Sequence, residues 1–198
     1  MRAANSHVTG VLMVGVGGQG IILAGDVLSL VAMAEGFDVK KSEVHGMSQR
    51  GGTVTSHVRF GPKVWSPMIP EGEADVLLGF EAAETLRALH LVAPAGSIIS
   101  STQRIIPPIA AGKKFSYPEN PFGSIRASFP DALAIDAQAE CRALGNERML
   151  SVLMLGALSA KLTLGQERWR DVIFQRVPKG TQEANWRAFL RGRELAGA

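Results

Sequence analysis

Over residues 8–35 the chain passes from a short apolar run, VTGVLMV, through GVGGQG and into IILAGDVLSLVAMAE. No other stretch restricts the fold as much. A nearly continuous apolar run of this length fits a strand buried on both faces. The residues after the glycines have the length and small-apolar spacing of a buried helix, which Gly36 would stop. Gly15-Val16-Gly17-Gly18-Gln19-Gly20 fits G-x-G-x-x-G in the required setting, after a strand and before a helix. Such glycines permit a tight turn, and the open backbone N–H groups at a helix N-terminus attract an anion. Glu35 and Asp38 lie near the distance at which a ribose-binding acid is expected, and Glu43, nearer the end of the next strand, is better placed. The same glycines would equally serve a chain that only turns closely from a strand into a buried helix, so the motif leaves both readings open.

The remaining pattern extends this start into an α/β chain. Residues 37–43 (FDVKKSE) read as a second strand that completes a βαβ unit, and 53–60 (TVTSHVRF) as a third, rich in β-branched residues. Residues 75–80 (DVLLGF) give a fourth strand, followed by a helix over EAAETLRALHLV. Pro94, Ala95 and Gly96 predict a turn, 97–100 (SIIS) a fifth strand and 133–136 (LAID) a return to the sheet. Residues 103–129, rich in Pro and Gly, read as strands and loops of an excursion. The last third changes character: 137–143, 149–162, 167–176 and 181–194 support helices, with Asn146 and Thr163 at caps or turns. Trp169, Trp186 and Phe189 there could supply partner surface or plain core. The expectation is a single domain over 1–198, Rossmann-like, with a mostly parallel sheet, flanking helices and a helical C-terminal third.

Composition removes several classes of function. Hydrophobic residues make up 46% of the 198 and charged residues 20%, which is enough material for a real core. The net charge of +3 comes from 21 basic and 18 acidic residues without a Lys/Arg stripe, so nucleic-acid binding is not expected. The single cysteine, Cys141, cannot make an internal disulfide, a Cys-based zinc site or an iron–sulfur cluster on this chain alone. A reducing, cytoplasmic location is the simple reading. No run approaches the roughly 20 apolar residues of a membrane span, and the N-terminus lacks a signal-peptide pattern.

Residues 42–59, SEVHGMSQRGGTVTSHVR, carry more chemistry than a turn needs. In an open α/β sheet the carboxyl ends of the strands form the rim where ligands bind, which places this loop beside the glycine loop. Arg50 offers fixed, planar donors, while Gly51 and Gly52 let an anion or a partner loop come close. The plainer alternative is that Glu43 and Arg50 pair to hold the loop, and His57, inside a strand, reads as structural. No triad or metal-ligand spacing emerges, so no self-contained catalytic or metal centre is expected here.

GVGGQGIILAG together with SEVHGMSQRGGTVTSHVRFG resembles the gamma-type domain of the 2-oxoacid:ferredoxin oxidoreductases. VHGMSQRGG is most similar to the branch formed by the small, beta subunits of indolepyruvate ferredoxin oxidoreductases. The likeness continues through GNERMLSVLMLGALSAKL and RWRDVIFQRVP and fades over 103–129. It implies a subunit that works only with a larger partner, which carries thiamine diphosphate and iron–sulfur clusters, decarboxylates a 2-oxoacid (indolepyruvate or another arylpyruvate) to an acyl-CoA and passes electrons to ferredoxin. This chain would then hold no cofactor alone. The resemblance also implies that Gly17, Gly18, Gln19 and Gly20 with Glu43, His45, Gly46, Gln49, Arg50, Gly51 and Gly52 form an interface and active-site rim, with docking to the thiamine subunit and contact with CoA as its tasks. The alternatives are a free-standing NAD(P)-binding Rossmann oxidoreductase and a nucleotide-binding regulatory module.

Overall fold

The apolar run at the start of the chain becomes β1 (Thr9–Val16), and every residue of it after Thr9 is buried. It lies inside a six-stranded sheet with β2 (Asp38–His45), β3 (Thr53–Gly61), β4 (Ala74–Gly79), β5 (Val92–Ser101) and β6 (Leu133–Ile135). The spatial order is β2-β3-β1-β4-β5-β6. The computed structural model describes residues 7–45, 52–106 and 116–198. β4, β5 and β6 continue parallel to β1, whereas β3 runs antiparallel to both β1 and β2. The βαβ unit expected over the first strands is therefore split. β2 points the same way as β1, but β3 returns from it as a hairpin arm and occupies the place between them.

Alternation along β1 sorts the core into two layers. Val11 and Met13 face a cluster built with α1 (Ile21–Ala34), α5 (Leu150–Ser159), α6 (Gln166–Arg176) and α7 (Gln182–Leu195). Leu12 and Val14 face a second cluster containing Leu77, Ile98 and Ile125, the last from α3 (Pro121–Ser128). A strand clad on both faces needs apolar side chains at every position, which is why its sequence does not alternate. α2 (Ala82–Arg87) follows β4, and α4 (Ala137–Ala143) follows β6. Among the described residues no helix is long and apolar enough to cross a membrane.

Two sequence expectations resolve differently in the sheet and beside it. Pro94, Ala95 and Gly96 do not make a turn between elements; they form an irregularity inside β5, where pairing jumps from Ala74–Val92 to Val76–Ser97. A bulge uses the same residue types as a turn, because both need local departures from the pleat. Within 103–129, residues 107–115 lie outside the described residues, and the excursion ends in helix α3 rather than in strands. Asn120 caps it by accepting from the Gly123 N–H at 2.9 Å, and Pro121 occupies its first turn, where a missing N–H does no harm.

The helical third is core as much as cover. Trp169 and Phe189 are fully buried, and Trp186 stacks on Phe189 with centroids 4.9 Å apart. α5 and α7 approach so closely that glycine is the only residue that fits at two contacts. A Cβ on Gly156 would stand 2.0 Å from the Phe189 carbonyl oxygen, and one on Gly192 would stand 1.9 Å from that of Leu153. Neither obstacle is a flexible side chain, so the helices would have to separate. Gly156→Ala and Gly192→Ala are each expected to lower the unfolding free energy by about 2–3 kcal/mol, read from urea melts with unchanged slope. A change below about 0.5 kcal/mol would show that the two helices are not packed this tightly.

Candidate functional site

The glycine loop is shaped by three close contacts. Gly15 has no room for a side chain, since a Cβ would lie 2.6 Å from Gln19 Oε1 and 2.8 Å from Phe80 Cβ. Gly20 caps α1 with φ 79°, a left-handed conformation, and a Cβ on it would stand 2.9 Å from Ser151 Cβ. Gln19 turns inward. Its Oε1 accepts from the Val16 N–H at 2.7 Å, and its Nε2 donates to the Phe80 carbonyl at 2.7 Å and to Gln103 Oε1 at 2.8 Å. One amide thus joins the end of β1 to the exits of β4 and β5, a structural clip that leaves the loop's own backbone to face outward.

The second segment singled out in the sequence arrives at the same end of the sheet. His45 pairs with Val54, and Val54 pairs with Gly15, so the chain leaves β2 and re-enters β3 beside the glycine loop. The Gly17 N–H donates to the Gly52 carbonyl at 2.9 Å, joining the two loops directly. Gly46, Gln49, Arg50 and Gly51 lie outside the described residues, as does the side chain of His45. Glu43 pairs with Lys41 at 2.6 Å, and Lys41 also binds Asp26 of α1, which in turn pairs with Arg176 of α6 at 2.8 Å. Burial works against the Lys41 charge, but the two carboxylates outweigh it and hold its pKa above the usual lysine range.

The acids that a dinucleotide fold would use are placed otherwise. Glu35 accepts from the Gly165 N–H at 3.0 Å, fastening the end of α1 to the start of α6. Asp38 pairs with Gly61 of β3, at the sheet's far end from the glycine loop, and accepts from the Val64 N–H at 2.9 Å. Glu43 does lie toward the carboxyl end of β2, yet β3 stands between that strand and β1. His57 is buried, its Nδ1 accepts from the Ile69 N–H at 3.2 Å, and burial lowers its pKa, all of which fit a structural histidine.

A cavity of about 280 Å³ opens between the glycine loop and the helical third. Gly18, Gln19, Gly20 and Leu23 form one wall, Gln138, Glu147, Arg148, Leu150 and Ser151 the other, and Gln103 closes one side. Arg148 and Ser151 lie in the stretch that carries the family likeness but had no role read for them; Ser151 reaches the site because the first turn of α5 packs against Gly20, and Gln138 comes from α4. Next to the cavity, both legs of the 103–117 excursion meet a buried carboxylate. Glu81 Oε1 accepts from the Ile105 N–H at 3.1 Å and from the Tyr117 hydroxyl, while Oε2 accepts from the Glu84 N–H at 2.9 Å. Neighbouring Glu84 is pushed up by burial, with Arg87 opposing. Among the described residues no three His, Cys, Asp or Glu side chains gather as a metal site. Cys141 is buried, and burial pushes its thiol up to about 11.

Residues 10–195 match the family described as pyruvate ferredoxin/flavodoxin oxidoreductase. The chain belongs to that family. It is 37% identical, over 94% of its length and 95% of the relative's, to the indolepyruvate oxidoreductase subunit IorB of Thermococcus kodakarensis. Against the subunit of the same name from Pyrococcus horikoshii it is 36% identical, covering 94% of this chain and 95% of the relative. The fold matches the gamma subunit of a keto/oxoacid ferredoxin oxidoreductase from Geobacter sulfurreducens, with TM-score 0.69, 22% identity and coverage of 95% and 98% of the two chains. It also matches a 2-oxoglutarate:ferredoxin oxidoreductase from Magnetococcus marinus, with TM-score 0.72 and 20% identity, over 96% of this chain and 31% of that one. The protein is thus a subunit of a 2-oxoacid:ferredoxin oxidoreductase.

Tyr117 is the only tyrosine in the chain, which makes the Glu81 contact directly measurable. Burial and the Glu81 carboxylate push its hydroxyl up to about 12. The neutral form is the one the fold favours, so the stability it contributes is complete below the ordinary tyrosine pKa of about 10 and lost as pH rises toward 12. An absorbance titration at the tyrosinate band should give a midpoint near 12 that falls in Glu81→Gln. A midpoint near 10 in the parent chain would exclude the contact.

Proposed function

We propose that the chain is the small subunit of an indolepyruvate-type 2-oxoacid:ferredoxin oxidoreductase, and that its carboxyl rim packs against a larger subunit carrying thiamine diphosphate and iron–sulfur clusters. The observation that carries this reading is the direct join between the glycine loop and the β2–β3 connection, Gly17 N–H to Gly52 carbonyl, at one rim of the sheet. With the amide of Gln19 spent on the fold, such a rim offers backbone donors and a neighbouring loop, the composition of a docking face, and has no catalytic acid–base set among the described residues. The relatives at 36–37% identity bear the indolepyruvate name, which supports an arylpyruvate as the 2-oxoacid.

In the assembled enzyme thiamine diphosphate and the clusters supply decarboxylation and electron transfer from the partner, with ferredoxin as the acceptor. The task of this chain is to shape one side of the active-site entrance and to contact CoA there. Gly17, Gly18, Gly20 and Gly52 let a ligand or partner loop approach the backbone, and Arg50 supplies a charged contact to an anion.

Co-expression with the large subunit tests the reading: an iron-rich complex that reduces ferredoxin with indolepyruvate and CoA supports it. A chain that stays alone and binds NAD(P)H would overturn it. Within the complex, Arg50→Ala should leave the chain folded while weakening assembly or CoA use roughly ten- to a hundredfold, the scale of a charged hydrogen bond of about 1.5–3 kcal/mol. Unchanged assembly and activity would remove Arg50 from the site.

A further inference from the structure

We infer that the loop joining β3 to β4, residues 62–73, is a self-complementary surface through which two copies of this chain pair. It lies at the end of the sheet opposite the glycine loop, where Asp38 meets Gly61, so its use leaves the carboxyl rim free. The loop is fixed from inside. Val64 and Ile69 are buried, the Val64 N–H donates to Asp38 at 2.9 Å, and the Ile69 N–H donates to His57 Nδ1 at 3.2 Å. Between these anchors the Arg59 guanidinium donates to the carbonyls of Ser66 and Met68 at 3.3 and 3.1 Å. The side chains this frame turns outward are apolar: Trp65 is 87% exposed and Met68 46%. A lone surface leucine needs no explanation, but a tryptophan held in water by a pinned backbone is the kind of residue that dominates protein interfaces.

Charge sorts to the two flanks of this apolar centre. On the flank toward β2, Lys63 lies over the Trp65 ring with Nζ 5.0 Å from its centroid, and Lys63 and Lys40 share one carboxylate, Asp38, at 3.6 and 2.7 Å. Arg59 spends its donors on carbonyls, so positive charge is in excess there. The other flank is tied toward β5 by the Gly72 N–H, which donates to the His90 carbonyl at 3.0 Å. Glu71 and Glu73 are exposed on it and pair with no cation among the described residues. A two-fold contact sets residue i of one copy against residue j of the other, and j against i. Lys63 of each chain then meets Glu71 of its mate, while Trp65 and Met68 close the middle, an aromatic ring beside a thioether. A loop that is basic at one end, acidic at the other and apolar between them matches its own copy turned end for end. The pairing does not depend on the function proposed above.

Sedimentation velocity of the full chain over a range of concentrations reads the pairing. A monomer–dimer equilibrium is expected, weakened about tenfold or more by Trp65→Ser. Lys63→Glu and Glu71→Lys should each weaken it by about tenfold, because each turns two attractive contacts into two repulsive ones. An equal mixture of those two variants should recover the dimer, because both contacts between unlike chains then join opposite charges. Thermal melts report whether each variant has folded, and Trp65→Gln serves if the serine has not. A parent chain that stays monomeric up to its solubility limit overturns the inference, as does a dimer that none of the three substitutions disturbs. Failure of the mixture to recover the dimer overturns it too. A monomeric chain whose Trp65 resists oxidative labelling only after assembly with the larger subunit assigns the face to that subunit and excludes the pairing.

Discussion

The antiparallel passage of β3 between β2 and β1 governs everything at the carboxyl end of the sheet. A parallel crossover would have carried the chain away from β1 through another helix, and the loop after β2 would have faced a different neighbour. A hairpin instead brings the chain straight back, so it leaves β2 at His45 and returns at Gly52 beside the glycine loop. The hydrogen bond from Gly17 to Gly52 is the visible result. The same arrangement removes the usual place for a ribose-binding acid, because the strand next to β1 on that side is now descending toward the opposite end of the sheet. One change in strand order thus replaces a nucleotide-binding geometry with two loops joined at one rim.

The loops on this rim are held from beneath by side chains that accept and donate at the same time. Gln19 uses both ends of one amide, and Glu81 uses both oxygens of one carboxylate. Glu81 is buried and Gln19 half-buried, so hydrogen bonds left unmade there would be costly, which fixes the glycine loop and the backbone at Ile105. The outward surface can then consist largely of glycine backbone without becoming shapeless. Rigidity comes from the polar groups below it.

The sequence made much of this legible, for reasons that differ between elements. β1 and α1 could be read because burial on both faces suppresses alternation and the glycines mark the turn between them. The late helices announced themselves through length, and Gly36 through the break it causes. The direction of β3 could not be read, because a hairpin and a crossover both begin with a strand followed by a loop, and the side-chain pattern of β3 is the same either way. Pro94 to Gly96 misled because a bulge and a turn demand similar residues, and 121–128 because its cap, Asn120-Pro121, sat in a stretch already dominated by loop residues. At the site, Gly17 and Gly52 were legible from motif alone. Ser151, though inside a stretch that carries the likeness, had no role until the fold set Gly20 against it.

The cavity has one wall from residues 18–23 and the other from residues 138–151, and α1 is further locked to the last third by Glu35 with Gly165 and Asp26 with Arg176. The early and late parts of the chain therefore build one continuous helical layer over the same face of the sheet. Such an arrangement resists being divided. A rearranged gene could append this polypeptide to another at either terminus, but a break anywhere between the glycine loop and α5 would separate the halves of the site. In the evolution of larger enzymes it is a part that can be moved only whole.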